Sequence, residues 1–254
     1  MIGIFDSGIG GLSVFREIRK VLPEESYIYY SDNAHCPYGE KSREYIIDRA
    51  REITEFLLSK GAGIIIVACN TATAAAISTL RKEYPDIPFI GMEPAIKPAV
   101  RRTATGVVGV LATAGTLKAD KYLNTREKWA DNVRISEHIG QGFVELVESG
   151  HTEGPEAEKT VKNSLKPLLD DGADVIVLGC THYPFLSETI SKTATELYPE
   201  REVTIIDPAP AVARHIVEVM EEKGLLHKGK TGFSMELHAS GDDRCLIETY
   251  NTIL

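Results

Sequence analysis

No stretch of this 254-residue sequence approaches the roughly 20 consecutive apolar residues that a membrane-spanning helix needs. The first apolar run, Ile2–Phe5, is too short for the hydrophobic region of a signal peptide, and Asp6 follows it directly. Cysteine is scarce too. Four residues are too few for a disulfide scaffold in a chain of this length, so reduced thiols are expected. We therefore expect a cytoplasmic protein with no membrane partner.

Basic residues are also fewer than acidic ones. The chain has 28 lysines and arginines against 37 aspartates and glutamates, which gives a formal net charge of −9. This excess argues against non-specific binding to nucleic acid or to anionic membranes. It does not exclude a small anionic substrate, because such a ligand responds mainly to groups within about 8 Å.

Strand-like and helix-like runs alternate along the whole sequence. The clearest helix, 42–60, places Ile46, Ala50, Ile53 and Leu57 on one apolar face. Alternation with near-continuous apolar strands predicts an α/β fold with mostly parallel sheets. The predicted strands are Gly3–Phe5, Tyr27–Tyr30, Ile64–Ala68, Pro88–Gly91, Val107–Leu111, Val133–Glu137, Val175–Leu178, Val203–Ile206 and Phe233–His238.

The chain resembles a loose internal duplication. The segment Gly3–Gly8 is similar to Gly109–Ala114 at an offset of 106 residues, and two cysteine-bearing segments repeat at an offset of 111. Repetition of this kind predicts two similar lobes, each with a mostly parallel sheet flanked by helices.

Two proline-containing segments, Glu93–Ala95 and Asp207–Pro210, are predicted to carry the chain between the lobes. They divide it into a first α/β domain of residues 1–93 and 208–254 and a second of residues 94–207. Ligands of parallel sheets bind beyond the carboxyl ends of the strands. An active site in the cleft between the lobes is therefore expected.

The repeated segments end in Cys69 and Cys180. Each thiol follows an apolar strand, and small polar residues then open a predicted helix. A helix amino terminus favours a thiolate, so both cysteines are candidate reactive groups facing one site. The residues alone leave four alternatives open. The cysteines can be buried core thiols, or a redox pair, although there is no Cys-x-x-Cys motif. They can form a zinc site with His35 and His182, although the ligand spacing is not standard, or one of them can belong to a hydrolytic Cys-His dyad.

The glycine-rich segment Asp6–Gly11 follows the first strand and permits three interpretations. It can be a tight strand-to-helix turn that needs glycine. It can be a dinucleotide loop with Asp32 as the ribose-binding acid, although Ser13 replaces the third glycine. It can also direct the carboxylate of Asp6 and the hydroxyl of Ser7 at a polar ligand.

Three further features have weaker signals. His182 follows a candidate thiol by two residues, which favours a role in the site. The turn-forming segment Pro37–Gly39 follows the second strand, with Cys36 as a packed thiol before it. Glu148 is by default a solvated helix end.

In combination, these segments resemble the glutamate racemase family. The resemblance spans nearly the whole chain in order, with a looser match in the segment that ends at Glu148, which itself aligns. The matching segments are 3–11, 37–39, 68–72, 93–95, 179–184 and 240–242.

The resemblance implies a cofactor-independent, metal-free isomerase that interconverts L- and D-glutamate and supplies D-glutamate for peptidoglycan. It also implies two α/β domains and a homodimer. It assigns Cys69 to deprotonate D-glutamate and Cys180 to deprotonate L-glutamate. The implied substrate-binding residues are Asp6, Ser7, Tyr38, Gly39, Asn70, Thr71, Thr181 and His182.

The chemistry agrees with two thiols. Racemisation removes a weakly acidic Cα proton and returns one to the opposite face, so two bases can act without moving the substrate. Thiols suit this role, because a helix terminus can lower the pKa of a thiol towards neutrality. Two other hypotheses remain: an aspartate racemase on the same scaffold, and a non-catalytic amino-acid-binding module in which one thiol is structural.

Overall fold

The computed structural model describes residues 1–129, 133–226 and 232–253. The chain divides into two compact units, one of Met1–Met92 and Ala209–Leu254 and the other of Glu93–Pro208. The first division falls directly before the segment Glu93–Ala95, and the second falls within Asp207–Pro210. That the two units are separate domains stays a prediction.

The strands lie where the sequence predicts them, with ends that differ by at most two residues. They are β1 (Ile2–Asp6), β2 (Ser26–Ser31), β3 (Ile64–Val67), β4 (Phe89–Gly91), β5 (Val107–Ala112), β6 (Arg134–Ile139), β7 (Val175–Gly179), β8 (Thr204–Ile206) and β9 (Ser234–Ala239).

The α-helices are α1 (Leu12–Val21), α2 (Arg43–Ser59), α3 (Asn70–Glu83), α4 (Ile96–Val100), α5 (Ala114–Leu117), α6 (Asp120–Trp129), α7 (Phe143–Glu148), α8 (Pro155–Asp170), α9 (Ser187–Leu197), α10 (Ala209–Glu222) and α11 (Arg244–Ile253). Within the described ranges, none of these helices has the length and apolar character required to cross a membrane.

Helix α2 has the predicted apolar face. Ile46, Ala50, Ile53 and Leu57 are all buried against the core of the first unit. The helix begins after Ser42, whose hydroxyl accepts a hydrogen bond from the third residue of the helix, as a helix cap requires.

The two sheets share one strand order over four strands, and β9 extends the first sheet by a fifth. The first is β4-β3-β1-β2-β9 and the second is β8-β7-β5-β6, and the strand pairs within each are parallel. Strands β1 to β4 therefore correspond to β5 to β8, which confirms the prediction of two similar lobes. The strands that precede the two thiols, β3 and β7, occupy equivalent places beside the central strand and are buried along their whole length.

Candidate functional site

Cys69 is at the predicted junction of strand and helix. It follows β3 and occupies the N-cap position of α3, where its sulfur accepts a hydrogen bond from the backbone N–H of Ala72 at 3.4 Å. The thiol is thus held at the positive end of a 14-residue helix, a position that stabilises a thiolate.

The end of the neighbouring strand brings Ser7 to this thiol and places Asp6 at the same edge of the sheet. Strands β1 and β3 pair in parallel with Phe5 opposite Val67, so the residues that follow both strands meet at one sheet edge. The Cys69 thiol lies 3.7 Å from the Ser7 hydroxyl oxygen, to which it donates. The Asp6 carboxylate is fully buried and accepts the backbone N–H of Gly8 at 2.9 Å.

Asn70 and Thr71, the first residues of α3, are also buried. Among the described residues, neither the amide nitrogen nor the amide oxygen of Asn70 has a hydrogen-bond partner. A buried polar group without a partner costs free energy, which a ligand that binds it recovers. Asn70 is therefore the clearest substrate-binding candidate of the first unit.

Tyr38 and Gly39 lie in a short 3-10 helix, Tyr38–Glu40. The Tyr38 hydroxyl is buried and donates to Asp32 at 2.5 Å. Burial and the Asp32 charge raise the pKa of Tyr38, so it stays a phenol and a donor. Nearby, Arg49 donates two hydrogen bonds to the same carboxylate.

Asp32 itself is fully buried within this cluster. Burial raises the pKa of its carboxyl, but hydrogen bonds from Arg49 and Tyr38 outweigh that effect and hold the pKa below its usual value. The carboxylate also lies 3.0 Å from the Nδ1 atom of His35. It is thus engaged inside the protein, unlike the ribose-binding acid of the dinucleotide-loop interpretation.

The local structure after Cys180 corrects one expectation. Cys180 follows β7 as predicted, but the next α-helix begins only at Ser187, after a 3-10 helix of Tyr183–Leu186. Proline explains the difference. Pro184 has no N–H to bond the Cys180 carbonyl four residues back, and the N–H of Tyr183 bonds it instead. The two thiols occupy equivalent strand ends but different helix starts.

A buried histidine supports the second thiol. The Nδ1 atom of His182 lies 3.7 Å from the Cys180 sulfur, and its Nε2 atom lies 2.6 Å from Glu148. The His182 side chain is 2% exposed and that of Glu148 21%. Thr181, between Cys180 and His182, is buried as well.

The prediction that Glu148 is a solvated helix end is therefore wrong. Glu148 is the last residue of α7, 34 residues from His182 in the chain, and no local pattern joins the two. The alignment of Glu148 with the racemase family was the one signal that pointed to it.

This arrangement has a definite acid–base consequence. When Glu148 accepts the Nε2 proton of a neutral His182, the Nδ1 atom carries a lone pair that faces the Cys180 thiol. The imidazole can then take the thiol proton, and the carboxylate stabilises the imidazolium that forms.

Comparison with known proteins supports the resemblance to glutamate racemases over most of the chain. The family model for Asp/Glu/Hydantoin racemase matches residues 2–216. The glutamate racemase of Stutzerimonas stutzeri is 46% identical over 241 residues, which cover 95% of this chain and 89% of that protein. The glutamate racemase of Pseudomonas aeruginosa PAO1 is 47% identical over 229 residues, which cover 90% and 84%.

Solved structures agree as well. A glutamate racemase isoform from Bacillus anthracis superposes with a TM-score of 0.87 at 32% identity, covering 99% of this chain and 92% of that one. The Escherichia coli glutamate racemase in complex with L-glutamate and the activator UDP-MurNAc-Ala gives a TM-score of 0.85 at 33% identity, covering 98% and 94%. The chain therefore belongs to the Asp/Glu/Hydantoin racemase family, and to the glutamate racemases within it.

Proposed function

We propose that this protein interconverts L- and D-glutamate with two thiol bases, Cys69 and Cys180, that act on one substrate molecule. The observation that carries the proposal is the equivalence of the two thiols. Each follows the equivalent strand of a parallel sheet, in an order that the two sheets share over four strands, and each has polar side chains beside it. A single-base enzyme or a binding module gives no reason for this repetition.

In the proposed reaction, one thiolate removes the Cα proton and the other thiol donates a proton to the opposite face. Cys69 starts the reaction from D-glutamate and Cys180 starts it from L-glutamate. Helix α3 supports the first thiolate, and the His182–Glu148 pair accepts the proton of the second thiol. After each turnover the two thiols have exchanged protonation states, so the enzyme is ready for the reverse direction.

The substrate's charged groups need fixed partners, because charge develops at Cα during proton transfer. We assign Ser7, Asn70, Thr71 and Thr181 to the carboxylates and the ammonium, with the backbone of Tyr38–Gly39. Asp6 and His182 complete the substrate-binding set. The unsatisfied amide of Asn70 supports this assignment most directly.

The proposal extends to the protein's setting. D-glutamate is the product that bacterial peptidoglycan synthesis requires, so we place the enzyme in the cytoplasm as a supplier of that precursor. We also propose a homodimer, which sedimentation velocity at several protein concentrations tests directly.

Racemisation is tested with the purified protein, L-glutamate and chiral chromatography. We expect D-glutamate to form, deuterium to enter at Cα in heavy water, and activity to survive dialysis against a chelator and treatment with a carbonyl trap. Cys69→Ala and Cys180→Ala should each lose at least about 10³-fold in rate, whereas Cys245→Ala on α11 should be unaffected.

Three results would count against the proposal. Full activity in either active-site cysteine variant would exclude the two-base mechanism. Restoration of lost activity by pyridoxal phosphate or zinc would exclude cofactor independence. Faster turnover of aspartate than of glutamate would favour an aspartate racemase.

A further inference from the structure

We propose that Tyr29 is a positioning residue for the Cys69 half of the reaction, because its hydroxyl fixes the loop that carries Asp6 and Ser7. The inference rests on the proposed function, since it assigns a task within that mechanism. Tyr29 is not one of the residues that the sequence motifs single out.

The first observation is a hydrogen bond from strand to loop. Tyr29 lies on β2 opposite Ile4 of β1, and its side chain is fully buried. Its hydroxyl donates to the backbone carbonyl of Gly8 at 2.8 Å. A rigid ring on an inner strand of the sheet therefore determines where this carbonyl lies.

The second observation is that Gly8 is held at both of its polar groups. Its carbonyl accepts from Tyr29, and its N–H donates to the Asp6 carboxylate at 2.9 Å. A chain of contacts thus runs from Tyr29 through Gly8 to Asp6. Ser7 lies between the two held residues, and its hydroxyl contacts the Cys69 thiol at 3.7 Å.

The third observation is close packing at Gly11. A Cβ atom at this position would lie 2.7 Å from the Tyr29 hydroxyl, 2.8 Å from the Asp6 Cβ and 3.0 Å from the Cβ of Ala68, which precedes Cys69. The phenol, the carboxylate-bearing residue and the residue before the thiol therefore converge on one point. Such packing leaves the loop little freedom while the Tyr29 hydrogen bond is in place.

Removing the hydroxyl should therefore affect geometry more than global stability. In Tyr29→Phe the Gly8 carbonyl loses its donor, and the loop that orients Asp6 and Ser7 gains freedom. Misplacement of reacting groups by about 1 Å can cost about 10²-fold in rate. We expect kcat from D-glutamate to fall about tenfold with little change in its KM.

The chain offers a matched control on the same strand. Tyr27 is also fully buried, and its hydroxyl donates to a backbone carbonyl, that of Leu22, at 2.5 Å. It pairs with Ile2 at the start of β1, away from the loop. Tyr27→Phe thus removes the same kind of hydrogen bond without touching the loop.

The experiment compares the two variants by kinetics and by site-resolved thiol alkylation. Iodoacetamide is added across a pH series without substrate, and mass spectrometry reports the modification of Cys69 and Cys180 separately. In Tyr29→Phe the pH profile of Cys69 should shift while that of Cys180 stays unchanged. In Tyr27→Phe both pH profiles should match those of wild type, and kcat from each enantiomer should stay within about twofold of wild type. The melting temperature of Tyr27→Phe should nevertheless fall by about as much as that of Tyr29→Phe, because each variant loses one buried hydrogen bond.

Identical behaviour of the two variants, or equal shifts at both thiols, would overturn the inference. If Tyr29→Phe does not fold, Gly11→Ala disturbs the same contact and should shift the Cys69 profile alone. A Cys69 profile that does not shift in Gly11→Ala would also overturn the inference. Failure of the proposed function is a different result, because it would appear as absent racemisation in the wild-type protein.

Discussion

The Nε2 atom of His182 lies 2.6 Å from Oε1 of Glu148. This contact joins the end of α7 to the turn after β7 and directs the other ring nitrogen at Cys180. The first thiol has a different support, a helix terminus and the Asp6–Ser7 loop. Two topologically equivalent strand ends therefore have different acid–base surroundings.

Glu148→Gln should impair the direction that begins at Cys180. Glutamine keeps the side-chain size but removes the charge that stabilises an imidazolium. We expect kcat from L-glutamate to fall about 10- to 100-fold with a small change in its KM, as measured by initial rates. Glu145→Gln changes an exposed residue of the same helix and should retain wild-type rates. Equal rates in the two variants would contradict the assignment.

The fold could be predicted from the sequence because its signals are local. The apolar face of α2 and the apolar strands before Cys69 and Cys180 are readable from neighbouring residues. The repeat of short motifs also predicted the two similar lobes.

The site could be predicted only in part. The thiols were visible because their motifs are contiguous. The contact between Glu148 and His182 was not, since it depends on how α7 packs in three dimensions. The 3-10 turn after Cys180 had a visible cause in Pro184, but the likeness to the Cys69 segment favoured a helix there.

Asp6→Asn and His182→Asn should impair opposite directions. Asp6 supports the Cys69 loop, so its variant should lower kcat chiefly from D-glutamate, whereas His182→Asn should lower kcat chiefly from L-glutamate. Free enantiomers have equal energy, so kcat/KM must fall equally in both directions. The asymmetry therefore appears in how each loss divides between kcat and KM. Initial rates from each enantiomer decide the matter, and a symmetric loss in both variants would refute it.

Asp32→Asn should destabilise the protein in a pH-dependent way. The pKa of Asp32 is lower in the folded protein than its ordinary value of 3.8, so its stabilising effect is present above that value and is lost as pH falls through the folded pKa. Removing one partner of this buried pair should cost about 3 kcal/mol at pH 7. The difference in unfolding free energy from wild type should begin to shrink as the pH falls below 3.8 and should close below the folded pKa.

Thermal unfolding at neutral and acidic pH measures this difference in stability between wild type and Asp32→Asn. Asp48→Asn is the control, because Asp48 forms an exposed ion pair with Arg51 on the same helix as Arg49 and should contribute little at either pH. A gap for Asp32→Asn that persists unchanged at acidic pH would show that the carboxylate charge is not its source.

Replacing Asn70 should separate stability from binding. Its buried amide has no partner within the described part of the chain, so Asn70→Leu removes an unsatisfied polar group and keeps the branched shape of the side chain. We expect the melting temperature of the unliganded protein to rise by about 2–4 °C, as a gain of about 1 kcal/mol predicts. Glutamate should no longer raise it, because the variant has lost a group that the substrate binds.

Thr54→Val is the matched control for this last experiment. The Thr54 hydroxyl is likewise buried on α2 with no partner in the described residues, so the substitution should raise the melting temperature too. Glutamate should stabilise that variant as it does the wild type, since Thr54 has no role in the site. A full glutamate response in Asn70→Leu would remove Asn70 from the binding set. A fall in its melting temperature would contradict the expected gain in stability.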